Sequence, residues 1–195
     1  MDLMRIFSIS GKDGVRLVNP KDLTKALLLI LFIAFALRLF LLLQPEVIHN
    51  DGTAYVRHAK EVLSENWARS KAPPFYPFLI SIVQFLTGNY ELAGIWISVI
   101  MGTLLVLPVF FLGKEIFNVQ AGILSGLVTA VHPLLNISSG SVLTESTYHF
   151  FLATSVLFGW YAFLSGKVRT TLLFGFFTTL AYLTRPEAIG FLFIF

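Results

Sequence analysis

Apolar residues run almost unbroken over 26–43, 92–112, 119–135 and 147–164, then over the shorter stretch 170–183, and begin again at 188. Polar segments separate these runs. Each long run predicts a membrane-crossing α-helix. The first is about 27 Å long at ~1.5 Å per residue, against a hydrocarbon core of about 30 Å. The fold class expected is all-α: a polytopic transmembrane helical bundle. Residues 1–25 are polar and carry Arg5, Lys12, Arg16, Lys21 and Lys25. No small-residue cleavage site follows the first apolar run, so that run reads as an uncleaved anchor. The run from 188 stops as it begins, which suits the front part of a longer protein, inactive by itself.

Between the first and second long runs lies 44–91, expected to form an external loop with helices at the membrane surface. Its first half predicts an amphipathic helix: Tyr55, Ala59, Val62 and Leu63 fall on one stripe, with Asp51 at the head. Its second half, 73–88, is apolar but short, and three prolines crowd its start. It reads either as a span or as a surface helix. Parity separates the two. With 73–88 at the surface, Lys114, Lys167 and Arg169 join the basic N-terminus on the cytoplasmic side, as the positive-inside rule requires. Asp51, Glu145 and Arg185 then all fall on the external side.

Composition agrees with the pattern. Of 195 residues, 56% are hydrophobic and 13% charged, against about 25% charged in soluble domains. The net charge of +3 gives no basis for nucleic-acid binding. With no cysteine, there is no disulfide, no thiol nucleophile and no thiolate metal site.

Few residues are left to carry chemistry, and each has a plain structural alternative. Asp51 is either a helix cap or an acid positioned to take a proton from a substrate hydroxyl. Glu145 suits a helix N-terminus through the dipole, or serves as a second acid facing Asp51. Arg185 follows a short apolar run. A guanidinium there suits a phosphate, or it pairs at the surface with Glu187. Lys71, before Pro73 and Pro74, is a further phosphate candidate. Arg38, near the outer end of the first run, reads as a side chain that snorkels to the headgroups. His132 and His149 read as polar packing residues. Asn136-Ile137-Ser138 matches a glycosylation acceptor pattern, meaningful only in a eukaryotic setting.

Taken in order, several short pieces resemble the GT-C membrane glycosyltransferases, in the family 39-like branch of protein O-mannosyltransferases and aminoarabinose transferases. They are Ala36-Leu37-Arg38-Leu39, Asp51 with Tyr55 and Ala59, Pro73-Pro74-Phe75-Tyr76-Pro77, Leu112-Gly113-Lys114-Glu115, His132-Pro133, Leu143-Thr144-Glu145 and Leu183-Thr184-Arg185-Pro186-Glu187. The resemblance implies a GT-C-like bundle. Its catalytic acid falls on Asp51 and its second acidic site on Glu145. It implies carrier-phosphate or substrate contacts at Arg185, Lys71 and Tyr55. Many members carry two adjacent acids in the first loop, whereas here Gly52 follows Asp51; this favours a single base and no metal cofactor.

The function so implied is inverting transfer of a sugar from a polyprenyl-phosphate carrier to a protein, lipid or glycan acceptor. It would occur on the external or periplasmic face of a membrane, expected to be the bacterial inner membrane. A transporter or flippase fragment is the alternative class. Such proteins place charges at mid-membrane in paired halves, whereas here the charges gather at one end and no internal repeat is seen.

Overall fold

The computed structural model describes residues 19–43, 50–62 and 73–193, without the side chains of Pro20 and 191–193. Every regular element among them is helical. Lys71, Leu63 and His49 lie outside the described residues, so the phosphate expectation for Lys71 has no geometry.

Helix α1, Pro20–Leu42, opens where Asn19 accepts a hydrogen bond from the Lys21 amide at 3.1 Å and Pro20 takes the first turn. Both choices suit a helix start, because neither wastes a backbone donor. Its lipid side exposes Leu28, Phe32 and Phe40. Its inner side packs Leu23, Leu27, Ile30 and Ala34 against Val106, Phe110, Val119 and Ala130.

Helix α2, Asn50–Val62, and α3, Phe75–Thr87, belong to the first loop. At 13 residues, α3 is only ~20 Å long, too short to cross a ~30 Å core. The two pack with α4, Tyr90–Leu104, around Ala59, Tyr76, Ile80 and Ile97. Helix α4 continues almost directly into α5, Val106–Ile116. The interruption at Leu105 has a simple cause. Pro108 has no N–H for the Leu104 carbonyl, and the next bond, Val109 amide to Leu105 carbonyl, stretches to 3.4 Å. By length and composition, Lys21–Leu42 and Tyr90–Ile116 can cross a membrane.

The run expected over 119–135 is not one straight helix. It forms α6, Val119–Val131, and α7, Pro133–Ser139, bent by 54°. Proline disfavours helical geometry in the residue before it, and His132 is extended at ψ 120°. The bend strands the Ala130 carbonyl, which the Asn136 side-chain amide takes at 3.2 Å. Asn136 is therefore buried and serves the backbone; the acceptor pattern there is not a glycan site. His132 is exposed, not a packing residue.

Helix α8, Glu145–Ser165, and α9, Val168–Thr184, form an antiparallel hairpin through Gly166 and Lys167. Phe151, Ala181 and Ala188 make its core. Ser155 and Thr178 share a hydrogen bond across it. The apolar run from 188 begins not as an α-helix but as 3-10 turns over Pro186–Phe193.

Candidate functional site

The hairpin geometry collects polar side chains at one end of the bundle. Glu145 opens α8 and Arg185 closes α9, so the antiparallel pairing sets them side by side. Arg185 Nη1 donates to Glu145 Oε1 at 2.9 Å. Its Nη2 lies 3.6 Å from Glu187 Oε1, and the guanidinium stands 5.8 Å from the Tyr148 ring centroid. Glu145 and Arg185 are each about one third exposed, at 35% and 34%. Burial works against the Arg185 charge, but Glu145 and Glu187 outweigh it and raise its pKa. Glu145 thus has a firm partner in Arg185, 40 residues along the chain, and Arg185 also carries the surface pair with Glu187. The other Glu145 oxygen, Oε2, is buried without a hydrogen-bond partner.

A second line of contacts leads from this pair to the first loop. Ser98 Oγ donates to the Leu143 carbonyl at 3.2 Å, two residues before Glu145. The Tyr76 hydroxyl lies 3.0 Å from Ser98 Oγ and 3.1 Å from the Gly94 carbonyl. Tyr76 is fully buried. Burial, with Tyr55 and Glu145 nearby, drives its pKa far up, so the phenol stays neutral. The Tyr55 ring meets it edge-on at 5.5 Å. Asp51 stands one helical turn before Tyr55, exposed, within the first turn of α2.

Arg38 departs from expectation. It does not snorkel; it is 0% exposed. Its Nη1 donates to the Ala34 carbonyl at 2.9 Å and its Nε to Ser139 Oγ at 3.2 Å. Nη2 is buried and has no hydrogen-bond partner. The signal was present in the sequence. Arg38 is the one charge inside the first apolar run, and charges at membrane depth face the bundle. His149 is half-buried, and its Nδ1 is buried without a hydrogen-bond partner. Among the described residues, no group of three or more acids and histidines has the arrangement of a metal site.

The chain matches a family model. Residues 71–195, well over half of it, match the family described as dolichyl-phosphate-mannose-protein mannosyltransferase. The chain belongs to this family. It is accordingly an integral membrane glycosyltransferase of GT-C type that draws on a lipid-linked sugar. Glu145 and Arg185 lie inside the matched residues, whereas Arg38, Asp51 and Tyr55 precede them. No curated protein and no solved structure matches the chain.

Proposed function

We propose that the polar end of the bundle is an inverting transfer site facing the outside of the membrane, with Asp51 as the base. The carrier's lipid lies in the bilayer beside the bundle. Asp51 takes the proton of an acceptor hydroxyl, whose oxygen attacks the anomeric carbon from the face opposite the phosphate. The carrier phosphate leaves with the bonding electrons. A fixed cation near that phosphate lowers the barrier because it acts where charge develops.

The observation that carries this reading is the run of contacts from Tyr55, one helical turn after Asp51, through Tyr76 and Ser98 to the Leu143 carbonyl, two residues before the Glu145 that pairs with Arg185. It ties the two acid-bearing loops together. Charge placement supports the orientation. Lys167 and Arg169 lie at the link between α8 and α9, the opposite end of that hairpin from Glu145. Glu115, beside Lys114, lies within electrostatic reach of Tyr161 near the same end. Basic residues at one end and the acid-bearing loops at the other favour a cytoplasmic N-terminus under the positive-inside rule.

Arg185 is not a free cation in this scheme. Two carboxylates surround one guanidinium, so the trio has no net positive charge. The phosphate's way to Arg185 is through Nη2, whose 3.6 Å contact with exposed Glu187 is the weaker of the two. Lys71 supplies the remaining positive charge.

The test is Asp51→Asn in the complete protein, reconstituted with a polyprenyl-phosphate mannose donor. Transfer is expected to vanish while membrane insertion and folding persist. Wild-type transfer by that variant removes Asp51 from the mechanism.

A further inference from the structure

Helices α1, α4, α7 and α8 meet at one polar point within the bundle. Arg38, on α1, donates through Nε to Ser139 Oγ on α7. Ser139 Oγ also lies 2.6 Å from the Leu135 carbonyl and 3.0 Å from Ser146 Oγ on α8. The proton directions follow from chemistry. A guanidinium only donates, and a carbonyl only accepts. The single Ser139 proton therefore goes to Leu135. Its two lone pairs accept from Arg38 and from the Ser146 hydroxyl. Ser139 is then fully used, and Ser146 is a donor held in place by it. All three side chains are buried.

The fourth helix makes the point tight. A Cβ at Gly102, on α4, would lie 2.1 Å from Ser139 Oγ and 2.9 Å from Arg38 Nε. Only a residue without a side chain allows this approach. The arrangement is costly, because a guanidinium taken out of water without a carboxylate partner carries a desolvation penalty. A hydrophobic residue at position 38 would fill the same space without that penalty.

Ser146 is the neighbour of Glu145, in the first turn of α8. We infer that Arg38 is a positioning residue: through Ser139 and Ser146 it fixes the first turn of α8 and so holds Glu145 against Arg185. The inference rests on the proposed site, in which Glu145 takes part. The span that anchors the chain thereby sets the geometry of a carboxylate more than 100 positions later.

The test uses the reactivity of the Glu145 carboxyl, read without any turnover. The complete protein in lipid vesicles is treated with a water-soluble carbodiimide and an amine nucleophile, which convert accessible carboxyls to amides. Labelling of Glu145 is followed by peptide mass spectrometry. Arg185→Gln serves as the reference for a released Glu145 and is expected to label fastest. Ser146→Ala removes one hydroxyl and no charge, and folds if any variant at this point does. It is expected to label at least threefold faster than wild type. Ser146→Thr, which restores the hydroxyl, returns the rate toward wild type. Thr154→Ala, lower on α8, leaves it unchanged. Arg38→Lys, checked for folding by tryptophan fluorescence, is expected to label like Ser146→Ala. Wild-type rates in both Ser146→Ala and a folded Arg38→Lys, beside a fast Arg185→Gln, overturn the inference. So does an Arg185→Gln variant that labels no faster than wild type. Neither result bears on Asp51, so the proposed transfer stands or falls separately.

Discussion

Replacing Gly102 by alanine adds a single methyl group to the middle of a helix. In an exposed helix that change is favourable by ~1 kcal/mol. Here the new carbon would sit 2.1 Å from Ser139 Oγ, with the Ser139 Cβ only 3.1 Å away. Ordinary contact needs about 3.4 Å or more. The far end of a flexible side chain is not what blocks it, since Ser139 is a short residue locked on α7. Overpacking costs ~1–3 kcal/mol. Expelling Ser139 also breaks its bond from Arg38, a hydrogen bond to a charged group worth ~1.5–3 kcal/mol. Set against the helix gain of ~1 kcal/mol, the net loss is about 1.5–5 kcal/mol. Gly175 offers the control. It lies within α9, where a Cβ would meet nothing within 4 Å. There the same substitution is expected to stabilise by ~0.5–1 kcal/mol. The assay is reversible unfolding in mixed micelles by titration with sodium dodecyl sulfate, read by tryptophan fluorescence. The midpoints should move in opposite directions. A Gly102→Ala protein as stable as wild type, or a Gly175→Ala protein that is the worse of the two, would refute the reasoning.

Other expectations follow from single contacts. Asn136→Leu leaves the Ala130 carbonyl without its donor and is expected to cost ~1–3 kcal/mol in the same unfolding assay. Arg185→Lys keeps the charge but loses the fork that reaches Glu145 and Glu187 together. Transfer from radiolabelled polyprenyl-phosphate mannose should fall by ~10–100-fold. Tyr76→Phe keeps the ring against Tyr55 but cuts the link to Ser98 and Gly94, and should lower stability by ~1–2 kcal/mol. A cysteine at position 51 of this cysteine-free chain is expected to react with an impermeant maleimide added outside the cell; labelling from the cytoplasmic side alone would reverse the orientation.

The long apolar runs and the shortness of 73–88 were legible from the pattern alone; the break within 119–135 was not. Asn19-Pro20 and Pro133 start helices by local backbone chemistry that the apolar runs 26–43 and 119–135 passed over. The amphipathic stripe of α2 was readable, because burial of Ala59 and half-burial of Tyr55 follow from periodicity. What the pattern could not contain was pairing. Glu145 and Arg185 meet only because α8 and α9 run antiparallel, which brings the start of one beside the end of the other. From the sequence, Glu145 was set facing Asp51 and Arg185 beside a phosphate or Glu187, not against each other. Arg38 was misjudged for a related reason. Its position near a helix end fits a snorkelling side chain as well as an inward one. The choice depends on whether a neighbour has space and an acceptor. Gly102 and Ser139 supply them, from helices distant in the chain.

The close crossing of α5 and α6 bears on how the protein enters the membrane. A Cβ at Gly122 would lie 2.9 Å from both the Lys114 Cβ and the Phe110 carbonyl oxygen, so the two helices touch backbone to backbone across a link of only Phe117 and Asn118. Helix α6 has 13 residues before its bend, ~20 Å, too little to hold a stable transmembrane position by itself. It reaches the length of a span only with α7 beyond the 54° bend, so it is expected to enter the bilayer with the apolar α4–α5 segment as a hairpin. A bulky residue at Gly122 would then act during biosynthesis. The effect to expect is then poorer insertion of α6 in the newly made chain, rather than a folded protein of lower stability.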